Sequence, residues 1–158
     1  MSKKRLTVII VLAALTAATL AFIWGNSMLT GEESGAISGG FLDWLIQTFP
    51  FLKWLPEYLL RKLGHFSEFC LLGFLLAWCF LLQGQRGIHR ASVPLLLAVL
   101  VAVTDETIQT FSLGRFPSVI DVWIDVAGAC VGIALLLALR KLRTFLQNRK
   151  GINHEKAS

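Results

Sequence analysis

Four long stretches of the chain are almost entirely apolar, and shorter polar segments separate them. The stretches cover residues 6–24, 65–82, 93–111 and 119–139. The first contains 19 residues without a charge, which as a helix would span roughly 28 Å at about 1.5 Å per residue. A bilayer's hydrocarbon core is about 30 Å thick. The pattern therefore predicts an all-α integral membrane bundle of four transmembrane helices, built as a single domain over residues 1–158.

The segments outside these stretches differ in character. Residues 25–40 are rich in Gly and Ser and predict a loop. Residues 41–60 contain an amphipathic, aromatic-rich segment that predicts helix lying in the membrane interface, with a soluble cap on the bundle as the alternative. Pro50 and Pro56 prevent one long helix there. Residues 140–158 are basic and polar, and we expect a frayed cytoplasmic tail.

The first apolar stretch is interpreted as a retained anchor. The apolar core of a secretory signal peptide is usually about 7–15 residues long and ends at small residues. This stretch is longer and ends in Phe22, Ile23 and Trp24.

The basic residues predict the orientation of the chain. Hydrophobic residues make up 55% of the chain and charged residues only 16%, and Lys and Arg stand at the ends of apolar stretches. With a cytoplasmic N-terminus, eleven Lys and Arg residues fall inside and four outside, the four being Lys53, Arg61, Lys62 and Arg115. The positive-inside rule then predicts a multi-pass protein of the inner (cytoplasmic) membrane with both termini in the cytoplasm.

This distribution also excludes some classes of function. A soluble enzyme and a nucleic-acid-binding protein are both incompatible with four apolar stretches whose ends hold the basic residues. The three cysteines, Cys70, Cys79 and Cys130, lie inside apolar stretches and show no zinc-binding spacing. A transporter is the least favoured membrane function, because four short spans leave little room for a path in a monomer. The oligomeric state stays open.

Polar residues gather at one end of the last three stretches, which the topology places at the outer membrane face. Ionisable residues within a membrane mark a functional site by default. The alternative is that they merely reach for water at the helix ends, but short carboxylates cannot reach far. We therefore predict a ligand-binding site formed by Lys62, His65, Glu68, Asp105, Glu106, Gln109, Arg115, Asp121 and Asp125.

Helical spacing predicts which way one acidic pair faces. Asp121 and Asp125 are four residues apart, and Gly128 and Gly132 continue the same face. Two small residues at this spacing allow another helix to approach closely. The face should point into the bundle rather than towards lipid.

The charge of the cluster needs compensation. Its five carboxylates exceed Lys62 and Arg115 by three negative charges when His65 is neutral. Protonated carboxylates, a charged His65 or a bound cation would each relieve this imbalance. Carboxylates with one imidazole suit Mg²⁺, Ca²⁺, Mn²⁺ or Zn²⁺, so a divalent cation is one candidate cofactor. The candidate metal ligands are Glu68, Glu106, Asp121 and Asp125.

Two further roles follow from residue type. His65 and Glu106 are the candidate general bases of a catalytic site, and for His65 an interfacial, hydrogen-bonded role is the alternative. Arg115 would either form a salt bridge with Asp121 or Glu106 or hold a lipid phosphate or a carboxylate.

These motifs together resemble the VanZ family, over roughly residues 61–139. The motifs are Lys62-x-x-His65-x-x-Glu68, Asp105-Glu106-x-x-Gln109-x-Phe111, Arg115-x-x-Ser118-x-x-Asp121 and Gly128-x-x-x-Gly132. The resemblance implies a membrane protein of the bacterial cell envelope, from a family whose named member is associated with resistance to glycopeptide antibiotics, notably teicoplanin. Asp125 stands where the family more often has Asn, and Phe69 where Tyr is common.

Two hypotheses of function remain at this point, and whether the chain is an enzyme is open. The first is a non-catalytic protein that binds a lipid-linked or cell-wall ligand at the outer face, with a link to teicoplanin-type resistance as the family-level expectation. The second is a metal-assisted membrane hydrolase or transferase that acts on a lipid or peptidoglycan precursor. The expected partners are the lipid bilayer and a lipid-linked cell-wall precursor, and no nucleic acid.

Overall fold

The computed structural model describes the backbone of residues 3–85 and 87–155, and the side chains of residues 3–85 and 87–149. Within these ranges every regular element is helical. The elements are α1 (Lys3–Met28), α2 (Gly31–Thr48), a short 3₁₀ helix (Pro50–Trp54), α3 (Glu57–Leu82), α4 (His89–Gln109) and α5 (Val119–Glu155).

Four of the helices are long and apolar enough to cross a membrane, namely α1, α3, α4 and the segment Val119–Arg149 of α5. The prediction of an all-α protein with four such spans is therefore confirmed. The boundaries differ from the predicted ones: α3 begins at Glu57 rather than at residue 65, and α4 runs from His89 to Gln109 rather than from 93 to 111. Helix α5 begins at residue 119 as predicted.

The predicted loop over residues 25–40 is wrong. Helix α1 continues to Met28, and α2 begins at Gly31. The reason is a capping box, in which the Glu33 backbone N–H donates to the Thr30 hydroxyl at 3.2 Å and the Thr30 backbone N–H donates to the Glu33 carboxylate at 2.9 Å. The hydrogen bonds from Thr30, first from its backbone and then from its hydroxyl, hold the pKa of Glu33 below its usual value.

The amphipathic segment at 41–60 consists of the second half of α2, the 3₁₀ helix and the first turn of α3. The helix breaks at Pro50 and Pro56, as predicted. Phe41 and Trp44 stack on each other with ring centroids 5.7 Å apart, and both are more than half exposed. Whether these rings lie in the membrane interface stays a prediction.

The tail expected to be frayed from residue 140 is helical up to Glu155, and residues 156–158 lie outside the described residues. The segment 140–149 is rich in Arg, Lys, Leu and Gln and has no Pro. These residues have high helix propensity, so α5 continues past the end of its apolar stretch.

Helices α3 and α5 approach each other most closely through glycines. A Cβ on Gly128 would overlap the backbone of Phe66, one on Gly132 would overlap that of Cys70, and one on Gly73 would overlap that of Ala129. The close approach predicted for the glycine face of α5 is thus confirmed. This contact fixes the register of α5 against α3.

The fully buried Phe69 joins Ile23, Leu72 and Ala102 in a core cluster that links α1, α3 and α4. Its ring packs in this core, away from the polar residues described below. A second cluster of Ala77, Ile133 and Leu136 lies further along α3 and α5.

The connection between α4 and α5 is fastened to the end of α1. The Gly31 backbone N–H donates to the Leu113 carbonyl at 2.8 Å, and the Ser112 hydroxyl donates to the Ser27 carbonyl at 2.7 Å. Gly114 adopts φ of 73°, which favours glycine, and lies against Gly31. At the opposite end of the bundle, the Arg5 side chain donates to the Leu82 carbonyl at the end of α3. The C-terminus of α1, all of α2 and the polar ends of α3, α4 and α5 thus meet at one end of the bundle.

Candidate functional site

A polar pocket of about 210 Å³ opens at this end of the bundle. Seven of the nine predicted site residues line it: Lys62, His65, Glu106, Gln109, Arg115, Asp121 and Asp125. Of the other two, Asp105 lies behind Gln109 and beside His65, and Glu68 lines an adjoining groove described below. Helices α3, α4 and α5 and the loop between α4 and α5 therefore deliver the predicted side chains to adjoining cavities.

Asp105 is fully buried and held by several neighbours. It accepts hydrogen bonds from the Ser27 hydroxyl at 2.6 Å and from the Gln109 amide at 3.0 Å. Its second oxygen, Oδ2, lies 3.9 Å from His65 Nδ1. A buried carboxylate needs such partners, and here they come from α1, α3 and α4.

Asp125 is buried to the same degree, with 1% of its surface exposed, but its surroundings differ. Among the described residues, neither of its carboxylate oxygens has a hydrogen-bond partner. It lies one turn before the glycine face of α5, so the packing of α5 on α3 carries it into the bundle and to the wall of the pocket.

His65, Asp105 and Asp125 form the one group of metal-ligating side chains found in the described part of the chain. Each can offer one ligand atom such that all three atoms lie within 4.8 Å of one another. Of the four carboxylates predicted as metal ligands, only Asp125 belongs to this group. His65 and Asp105, predicted as ligand-binding residues, complete it.

The remaining predicted metal ligands are engaged elsewhere. Glu106 accepts a hydrogen bond from the backbone N–H of Ser118 at 2.8 Å, immediately before α5. Asp121 forms an ion pair with Lys62 that joins α5 to α3. Glu68 accepts a hydrogen bond from the Asn26 amide at 3.2 Å.

Arg115 is used to hold backbone. Its Nε and Nη2 donate to the carbonyls of Leu29 at 3.3 Å and Asn26 at 3.0 Å, which tie the loop to the end of α1. Neither predicted salt bridge, to Asp121 or to Glu106, is present among the described side chains, because the guanidinium faces the carbonyls of α1. Burial, and then the charge of Arg61, lower the pKa of Arg115 below its usual value.

A larger groove of about 440 Å³ adjoins the polar pocket and lies between α1, α2 and α3. Six apolar side chains line it: Phe22, Leu29, Ile37, Phe41, Leu60 and Leu63. Several of them are at least half exposed, so the groove is open to its surroundings. Arg61, His65 and Arg115 line both cavities and stand at their junction.

Other polar residues in or next to the two cavities were not among the predicted site residues, and four of them are Tyr58, Arg61, Asn26 and Ser27. Tyr58 and Arg61 lie on the first turns of α3, before the predicted start of that span, and line the polar pocket. Asn26 and Ser27 lie at the end of α1, where they bond Glu68 and Asp105. A signal for Asn26 and Ser27 exists in the sequence, since both are polar residues just after the first apolar stretch, at the end that the predicted topology places outside.

Comparison with known families gives a match over most of the chain. The sequence model of the VanZ/LLP1 family matches residues 6–140, a range that contains the four apolar stretches of the sequence and every residue of the site. No curated protein and no solved structure matches the chain significantly.

Proposed function

The chain belongs to the VanZ/LLP1 family, and we propose that it binds a membrane amphiphile at the outer face of the membrane. The polar head would enter the polar pocket, and the apolar chain would lie in the groove between α1, α2 and α3. The observation that carries this proposal is the junction of the two cavities at Arg61, His65 and Arg115. A lipid-linked cell-wall precursor has this two-part chemistry.

The basic residues at the junction favour an anionic head. Among the described side chains, Arg61 makes only a long ion pair with Glu57, at 3.8 Å, and more than a third of each side chain is exposed. Its guanidinium is therefore free to form the paired hydrogen bonds that suit a phosphate. Asp121 holds Lys62, and backbone carbonyls at the end of α1 hold Arg115. These two side chains therefore determine the pocket's shape and electrostatic potential, and we expect Arg61 rather than either of them to contact the head first.

The groove favours an apolar chain over a soluble ligand. Its apolar lining is open to the surroundings, and around a membrane helix those surroundings are lipid. Burying apolar surface between protein and lipid gains little by the hydrophobic effect. We therefore expect the polar head of the ligand to determine the selectivity of binding, and the groove to orient the ligand.

A lipid-binding measurement tests the proposal. The purified protein in nanodiscs of neutral lipid is titrated with a polyprenyl phosphate, and bound lipid is counted by native mass spectrometry. Arg61→Gln should weaken binding at least about tenfold, the loss of one charged contact worth roughly 1.4 kcal/mol. Arg90→Gln, at the other end of the bundle, is the matched control. Equal binding by both variants and the unaltered protein would contradict the proposal.

A second experiment addresses the family-level expectation. We propose that occupation of the outer site lowers susceptibility to teicoplanin-type glycopeptides, which act on cell-wall precursors outside the membrane. Expression in a susceptible bacterium should raise the inhibitory concentration, and Asp121→Asn should abolish the effect at unchanged protein level. Resistance that persists in this variant would count against a role for the pocket.

The alternative function is a metal-assisted hydrolase or transferase that acts on a lipid or peptidoglycan precursor. One observation favours it: His65 Nδ1 faces the buried Asp105 at 3.9 Å, an arrangement that could orient an imidazole as a general base. Glu106 is the other candidate base, but its Oε2 accepts the Ser118 N–H. Turnover of the bound lipid by the unaltered protein, lost in His65→Gln, would favour catalysis. Stoichiometric recovery of intact lipid would favour binding alone.

A further inference from the structure

Two buried carboxylates and one imidazole meet beside the polar pocket, and each comes from a different helix. His65 belongs to α3, Asp105 to α4 and Asp125 to α5, with one ligand atom of each within 4.8 Å of the others. Among the described side chains, no Lys or Arg lies within ion-pairing distance of Asp105 or Asp125. The group is acidic and lacks a basic partner.

Asp125 points independently to a ligand. Its side chain lines the pocket, is 1% exposed, and has both carboxylate oxygens without a hydrogen-bond partner in the described part of the chain. A buried polar group without a partner is costly, and a buried charge far more so. A ligand that offers positive charge to these oxygens would remove that cost.

The contacts of the described side chains around the pocket leave two carboxylates, those of Asp105 and Asp125, without a counter-charge. Lys62 is paired with Asp121, Arg115 donates to backbone carbonyls, and Glu106 accepts the Ser118 N–H. When ionised, Asp105 and Asp125 add two negative charges that these contacts do not balance. A divalent cation would balance them.

Asp105 accepts hydrogen bonds of the kind that commonly orient a metal-binding carboxylate. The Ser27 hydroxyl donates to Oδ1 and the Gln109 amide to Oδ2, so the carboxylate is fixed in orientation while keeping unused lone pairs. Carboxylates that bind metals are usually oriented by such hydrogen bonds.

We propose that His65, Asp105 and Asp125 bind a divalent cation of the Mn²⁺ or Zn²⁺ type. Carboxylates suit Mn²⁺ and imidazole suits Zn²⁺, and mixed sets accept either. Ligand atoms about 2.1 Å from a tetrahedral ion lie roughly 3.4 Å apart, so separations of up to 4.8 Å shorten by at most about 1.4 Å when the ion binds. The ion shares the pocket and His65 with the proposed amphiphile, but its two carboxylate ligands are separate from the basic residues at the junction, and it does not require that ligand.

The test uses the full-length protein in detergent, without added lipid. After treatment with a chelator, it is titrated with Mn²⁺ followed by electron paramagnetic resonance, and with Zn²⁺ followed by elemental analysis. One equivalent should bind, and pulsed resonance should show coupling of Mn²⁺ to an imidazole nitrogen. His65→Gln should remove that coupling.

Asp125→Asn tests the unpartnered carboxylate, and Asp43→Asn, at an exposed position of α2 outside both cavities, is its control. We expect Asp125→Asn to weaken Mn²⁺ binding at least tenfold and to abolish the rise in melting temperature that Mn²⁺ gives the unaltered protein. Asp43→Asn should stay within about twofold, because Asp43 lies outside the group and the pocket. Asp105→Asn provides a second variant and should weaken binding similarly.

Three results would overturn the proposal. The first is that the unaltered protein binds neither Mn²⁺ nor Zn²⁺ up to millimolar concentration, and the second is that Asp125→Asn binds them unchanged. The third is an infrared band of a protonated carboxylic acid that the unaltered protein shows at saturating metal and that Asp125→Asn lacks. Polyprenyl phosphate binding, measured on metal-free protein and tested by Arg61→Gln, is a separate readout. Failure of one proposal therefore leaves the other to be judged alone.

Discussion

At the scale of single residues, the site contains buried polar side chains that differ in how well they are partnered. Asp105 has contacts with Ser27, Gln109 and His65, whereas both oxygens of Asp125 lack a hydrogen-bond partner among the described residues. Removing a neighbour of a partnered group leaves its charge buried and unsatisfied. The loss of stability caused by a substitution should therefore depend on which hydrogen-bond partner is removed and not on residue type.

Ser27→Ala should destabilise the protein. The Ser27 hydroxyl is fully buried and donates to the Asp105 carboxylate at 2.6 Å, so its loss should lower the free energy of unfolding by about 1–3 kcal/mol. Denaturant titration in detergent micelles measures this change.

Ser67→Ala is the matched control for that experiment. The Ser67 hydroxyl is exposed and donates only to carbonyls of its own helix, at Leu63 and Gly64. Its removal should stay within about 0.5 kcal/mol. Equal losses in Ser27→Ala and Ser67→Ala would show that the bond to Asp105 contributes nothing particular.

The sequence allowed the prediction of most of these residues but not of their partners. Residue type and position at the helix ends were enough to select Asp105 and Asp125. Spacing within one helix cannot show that Ser27, 78 positions from Asp105, supplies its hydrogen bond. It also cannot show that Arg115 turns to backbone carbonyls rather than to a carboxylate. Such pairings depend on how helices dock, which no local pattern encodes.

At the scale of helices, α5 positions the site, because its contact with α3 carries Asp125 into the bundle. This contact could be predicted from Gly128 and Gly132, because two residues four positions apart lie on the same face of a single helix. Prediction from the sequence failed at α2, where the glycines of residues 31–40 suggested a loop although Thr30 and Glu33 form a capping box. The composition of this segment favours a loop, whereas the capping signal, which is also local and visible in the sequence, favours a helix.

Gly128→Ala should weaken the α3–α5 contact. The added Cβ would overlap the Phe66 carbonyl in the facing backbone, which can relax only if the helices move apart. We expect a loss of about 1–3 kcal/mol, as for other overpacked interiors, seen as a lower melting temperature.

Gly25→Ala provides the control, because nothing lies within 4 Å of a Cβ at this position of α1. There the substitution should be neutral or stabilise by about 0.5–1 kcal/mol, through the higher helix propensity of alanine. A destabilisation equal to that of Gly128→Ala would contradict the packing argument.

The start of α5 offers a further prediction. Glu106→Ala removes the oxygen that accepts the Ser118 N–H at 2.8 Å, and the loss of such a cap costs about 0.5–2 kcal/mol. Glu106→Gln keeps an oxygen acceptor and should lose less. Thermal unfolding of the two variants compares them directly, and an equal loss in both would assign the effect to charge rather than to the cap.

At the scale of the whole molecule, the pocket, the groove and α2 all lie at one end of the bundle. Their functional meaning depends on which side of the membrane this end faces. The helices themselves do not determine this, because an antiparallel bundle is equally well packed in either orientation. The Lys and Arg distribution predicts it, with eleven residues inside and four outside.

Labelling of single cysteines with a membrane-impermeant maleimide tests this orientation. In a variant lacking Cys70, Cys79 and Cys130, Glu32→Cys reports on the pocket end and Gln85→Cys on the opposite end, and both positions are exposed. Glu32→Cys should react in intact cells, and Gln85→Cys only after permeabilisation, with equal labelling of both in lysed cells as the control. The reverse pattern would place the pocket in the cytoplasm. A ligand held there could not be an extracellular cell-wall intermediate, whereas the cation site, which depends only on contacts inside the bundle, would be unaffected.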